Sequence, residues 1–111
     1  MNNNPPPPYF VVLYAIGVYL SRKKVKPEEI AEIQSGVIYA DSRGSFAVCP
    51  HMSDPDNAYA EIEVNMGGNT MIYETQGSDD ALTGFQQDLD HLMSLWKQNN
   101  IAELERIICA N

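Results

Sequence analysis

From Ser45 to Trp96 the chain has no lysine and no arginine, although that span carries nine acids: Asp54, Asp56, Glu61, Glu63, Glu74, Asp79, Asp80, Asp88 and Asp90. Their carboxylates have no basic neighbour in sequence. Pairing from elsewhere is limited to the stretch Arg22 to Lys26, Arg43, Lys97 or Arg106. With a net charge of −8 over 111 residues, this shortage argues against direct nucleic-acid binding through phosphates. Cysteine is scarce too. Cys49 and Cys109 are far apart, so no disulfide framework is expected, and the thiols read as reduced and the location as cytoplasmic. The longest apolar run, Tyr9 to Leu20, is 12 residues, too short to span a bilayer, and no membrane partner is expected. The opening Met-Asn-Asn-Asn-Pro-Pro-Pro-Pro lacks the basic region of a secretory leader. No repeat and no dividing linker is visible. Residues 1–8 read as a disordered Asn/Pro-rich tail and 9–111 as one domain.

The strongest pattern is residues 78–98. Leu82, Phe85, Leu89, Leu92, Met93 and Trp96 form one stripe of a 3.6-residue period, which predicts a helix with Ser78 as N-cap and Asp79 and Asp80 in its first turn. Residues 9–26 are β-branched and aromatic like a strand. Their length, the preceding proline and the closing Arg22-Lys23-Lys24 favour a helix. Pro27-Glu28-Glu29 opens a short second helix that stops near Gly36. The period then becomes two. Val37–Asp41 and Ser45–Cys49 flank a Ser42-Arg43-Gly44 turn, residues 50–57 form a loop, and Tyr59–Met66 pairs with Thr70–Gln76 across Gly67-Gly68. Asn100 and Glu103 fit a capping box opening a last helix, with Ile101, Leu104, Ile107 and Ile108 inward. The fold class is therefore α+β: a four-stranded antiparallel meander with two helices before and two after, one sheet face covered and the other wet.

In Tyr59–Met66, Ala60, Ile62, Val64 and Met66 share one side, while Tyr59, Glu61, Glu63 and Asn65 share the other. A two-residue turn at Gly67-Gly68 sets Glu61 opposite Glu74, and like charges directly opposite destabilise a sheet. Such a face is tolerated at a wet surface or kept for a partner. With Tyr59, and Tyr39 as a further candidate on that side, it has the composition of a recognition surface for a basic protein.

Other constellations are weaker. Cys49-Pro50-His51 places a thiol near an imidazole, but no second ligand pair accompanies it for zinc and no local signature for a nucleophile. Asp54-Pro55-Asp56-Asn57 lacks the glycine and twelve-residue frame of a calcium loop and reads as turn chemistry. Met66-Gly67-Gly68-Asn69-Thr70 leads into no helix and is a hairpin turn rather than a phosphate loop. His91 belongs to a solvated helix face, and the five methionines read as core filling. Arg22 to Lys26 is the one basic patch; it would neutralise acids within the molecule or across a homodimer.

The expectation is a small acidic non-enzymatic binding protein of inhibitor, immunity or nucleic-acid-mimic type. It would use Tyr59, Glu61, Glu63, Glu74, Asp54 and Asp56 to dock onto a basic partner, such as a nucleic-acid-binding enzyme or a toxin, and block its groove. No catalytic residue, metal or cofactor is expected. Two alternatives compete with this: a metal- or thiol-dependent enzyme using Cys49 and His51, and a subunit of a homo-oligomeric assembly.

Overall fold

The structure, a computed structural model, describes residues 8–75 and 84–109. Its element order is α1 (Pro8–Ser21), a 3₁₀ helix (Pro27–Glu32), β1 (Gly36–Asp41), β2 (Gly44–Met52), a 3₁₀ turn (Pro55–Asn57), β3 (Ala58–Met66), β4 (Asn69–Glu74), α2 (Phe85–Lys97) and α3 (Ile101–Cys109). The strands form one antiparallel meander in the order β1-β2-β3-β4. Two helices precede the sheet and two follow it, as the patterning predicts.

α1 has apolar residues on every side, which suits a helix enclosed by neighbours better than one lying on a surface. It contacts β3, β4, α2 and α3. Val12, Leu13, Ile16 and Leu20 are buried. Its close seat on the sheet depends on Gly17, where a Cβ would meet the Tyr73 ring at 2.8 Å. The Tyr14 hydroxyl fixes the helix to the β3–β4 hairpin, 3.0 Å from the carbonyl oxygens of both Met66 and Asn69. α1 begins at Pro8, so one residue of the expected tail is helical; the rest of that tail lies outside the described residues.

The sheet alternates as expected. Phe46, Val48, Ala60, Ile62, Val64 and Met66 point inward, where they meet Leu89, Leu92 and Trp96 of α2 and Leu104 of α3 in one core. The β3–β4 turn is Gly67-Gly68, with φ of 58° and 81°. A positive φ at both positions matches the twist of the strands that a two-residue hairpin joins, and glycine reaches it without strain. α3 opens as the capping pattern predicts: the Glu103 amide donates to Asn100 Oδ1 at 3.4 Å.

Several sequence expectations are corrected. The long helix starts at Phe85, with Gly84 extended before it and offering no side-chain cap. Ser78, Asp79, Asp80 and Leu82 lie outside the described residues. The amide of Phe85 instead donates to Glu29 Oε2 at 2.9 Å, so a carboxylate from a distant 3₁₀ helix supplies the cap that glycine lacks. β2 runs through Pro50, His51 and Met52, because residues 49–52 pair with 58–61 of β3 and shorten the expected loop. β4 stops at Glu74; Thr75 continues the pairing differently, with its hydroxyl accepting from the Ala60 amide at 2.8 Å.

Tyr39 faces inward, 8% exposed and edge-on to Trp96. A bulge between Val37 and Tyr39 inserts Ile38 and shifts the phase of β1, which period-two counting does not detect. Met66 and Met93 fill the core, but Met52 and Met71 are exposed. No helix among the described residues is long and apolar enough to cross a membrane.

Candidate functional site

The uncovered sheet face is built by cross-strand register. One row across it reads Cys49–Glu61–Glu74, and the next reads Val37–Ala47–Glu63–Ile72. Side chains facing each other across a ladder sit about 5 Å apart, and rows on one face repeat at about 6.7 Å. Glu61, Glu63 and Glu74 are therefore mutual neighbours in space as well as in sequence pattern. Among the described residues no cation pairs with Glu61 or Glu63. A shallow depression of about 180 Å³, bordered by Gly36, Ala47, Cys49, Glu61 and Glu63, lies on the β1 side of this face.

The face is also partly apolar. Val37 is 67% exposed on edge strand β1, and Ile72 is 57% exposed on edge strand β4. Two large aliphatic side chains thus flank the carboxylates. Sequence reasoning missed both, although the register through Gly67-Gly68 already sets Ile72 opposite Glu63. Tyr59 lies at one end of the face, stacked on His51 at 5.0 Å between ring centroids and 17° between planes. Asp54 and Asp56 are exposed beyond that end. The Asp54 carboxylate is used locally: Oδ1 accepts from the Asp56 amide at 2.9 Å and Oδ2 from Asn57 Nδ2 at 2.8 Å. Of the six expected docking residues, Glu61, Glu63 and Glu74 form one patch, Tyr59 borders it, and Asp54 and Asp56 stand apart on the loop.

The Cys49 and His51 side chains lie on the same face of β2, two residues apart. Cys49 is a free, exposed thiol. His51 Nε2 is buried without a hydrogen-bond partner among the described residues, so no thiol–imidazole bond runs through that nitrogen. Among the described residues no group of three or more His, Cys, Asp or Glu has a geometry that could hold a metal ion.

The basic residues are distributed otherwise than a single patch implies. Lys23 is only 6% exposed; it pairs with Asp88 of α2 and lies over the Tyr19 ring. Arg22, Lys24 and Lys26 remain exposed. Arg43, at the β1–β2 turn, lies over the Trp96 ring at 4.2 Å and donates to the Tyr39 hydroxyl at 2.7 Å. It also pairs with Asp41 at 3.2 Å and reaches Asn99 Oδ1 at 3.4 Å. It joins the hairpin turn to the α2–α3 connection. Burial raises the Asp41 carboxyl, but the Arg43 amide and guanidinium outweigh it and hold the group below its ordinary range. Lys23 and Arg43 are thus engaged by the fold on its helix side, and neither reaches the carboxylates of the uncovered face.

Comparison with known protein families, with curated proteins and with solved structures finds no match.

Proposed function

We propose that this is a non-enzymatic binding protein whose uncovered sheet face docks onto a basic protein and occludes its groove or active site. The observation that supports this reading best is the register that assembles Glu61, Glu63 and Glu74 side by side between exposed Val37 and Ile72. Like charges held opposite one another cost the sheet stability, and exposed aliphatics on a flat face add no folding energy. Both features serve a partner instead. Aliphatic residues supply the desolvated contact, and carboxylates steer a cationic surface toward it.

In this mechanism the carboxylates take the place of phosphates, and the rigid sheet excludes the natural ligand by occupying its site. A nucleic-acid-binding enzyme or a toxin with a basic cleft fits that chemistry, and the complex would form in the cytoplasm. Half-buried Tyr59 would lie at the rim.

The test is capture from the host's lysate, at low and at high salt, with the wild type beside a Glu61→Lys/Glu63→Lys variant. A basic protein retained by the wild type alone, and released as salt rises, is the expected result, because screening weakens exposed charge pairs. Equal retention by both baits, unaffected by salt, would sink the reading.

A further inference from the structure

β1 is an edge strand, paired with β2 on one side alone. Its other side faces the flank of α2. The two elements run in the same direction and are tied at both ends. The Gln34 amide donates to Gln86 Oε1 at 2.8 Å, and Arg43 Nη1 donates to Asn99 Oδ1 at 3.4 Å. Between these ties lies an open groove of about 420 Å³. Ile38 and Met93 line it, and Asp90, Ser94 and Lys97 form its helical wall. The bulge puts Ile38 there as the extra residue between Val37 and Tyr39.

We propose that this groove binds an extended peptide segment of a partner protein, added as a strand to the outer edge of β1. Three observations specify the occupant. Among the described residues no other segment pairs with that edge, and unpaired strand donors and acceptors are satisfied best by another extended backbone. The groove is apolar at its middle, where half-buried Ile38 stands beside buried Met93. It carries opposite charges at its two ends, Asp90 and Lys97, which are seven residues and about 10 Å apart along a helix. In an extended strand, alternate side chains share a face at about 6.7 Å spacing. A segment of the form basic–x–aliphatic–x–acidic therefore places its cation near Asp90, its aliphatic side chain on Ile38, and its anion near Lys97. A second copy of β1 fits less well, because Gly36–Asp41 contains no lysine or arginine for Asp90. The groove is on the helix side of the sheet, away from Glu61 and Glu63, so the proposal is independent of the docking face.

The test is an NMR titration of the isotope-labelled full chain with a capped heptapeptide. The peptide carries lysine, valine and glutamate at alternating positions, separated by threonine. Saturable shifts confined to residues 34–41 and 90–98 are expected, with slowed hydrogen exchange in β1 and a dissociation constant of about 100 μM. Ser94→Tyr, at an exposed wall position, should weaken binding about tenfold by filling the groove. Asp90→Lys should do the same, and replacing the peptide's lysine with glutamate should restore binding to that variant. The proposal is overturned by the absence of saturable shifts up to about 5 mM peptide. It is equally overturned by β1 shifts that depend on protein concentration alone, or by unchanged binding in both variants.

Discussion

The two faces of β3 come from one nine-residue strand and impose opposite demands. Inward, Ala60, Ile62 and Val64 are fully buried and Met66 nearly so, held against helices that exclude water. Outward, Glu61, Glu63 and Asn65 meet solvent, with Glu61 directly opposite Glu74. The inner face is selected by burial, where each methylene counts and an unpartnered charge is intolerable. On the outer face water screens the carboxylates, so repulsion there is affordable to the fold and available to recognition. Side-chain identity on one face is thus fixed by stability, and on the other it is free of that demand.

The sharpest way to break this contrast is to substitute neighbours on opposite faces. Ile62→Ala should lower unfolding free energy by about 2–5 kcal/mol, whereas Glu63→Ala should stay within about 0.5 kcal/mol. Chemical denaturation of both variants measures the difference, and similar losses would contradict the two-face account.

Next in size is Arg43, which ties the β1–β2 turn to the helices. Arg43→Ala removes its stacking on Trp96 and should cost about 1–2 kcal/mol. Part of that cost depends on pH. Asp41 is held below its ordinary range by Arg43 against the opposing effect of burial. A carboxyl depressed on folding contributes stability that is complete above its unfolded pKa and is lost as pH falls through the folded value. The gap between wild type and Arg43→Ala should therefore narrow from about pH 7 to about pH 2. Denaturation midpoints at the two pH values decide this.

Glu29→Ala should cost about 1 kcal/mol by uncapping α2, with faster amide exchange confined to the first turn after Gly84. The smallest effect has the opposite sign. Glu61→Lys replaces a like-charge pair with an attractive one and should stabilise the fold by about 0.5 kcal/mol, less at high salt. The same change should slow association with a basic partner. Thermal melts at two ionic strengths, beside association rates, would show whether stability and binding are opposed at this residue.

The periodic elements were legible in the chain. The alternation of residues 59–66, the Gly67-Gly68 turn and the stripe from Phe85 to Trp96 each carry a local period that side-chain direction enforces. The carboxylate trio of the uncovered face followed from that register. What local pattern could not supply is contact across long separations. The apolar half of the face depends on both edge strands at once. The cap of α2 comes from Glu29, 56 residues earlier. The bulge at Ile38 turned Tyr39 inward against the period, because its ring finds Trp96 and its hydroxyl finds Arg43 there.

By itself, the sequence determined the fold class, the meander order and the face on which Glu61 and Glu63 lie, since these depend on periods of two and 3.6 and on a turn that glycine alone makes easily. Tertiary structure decided the rest. It determined which cations are engaged within the fold, with Lys23 buried against Asp88 and Arg43 over Trp96, and which aliphatic residues stay uncovered. Charge pairing and burial depend on distances between segments that share no local pattern, and only the packed chain sets those distances.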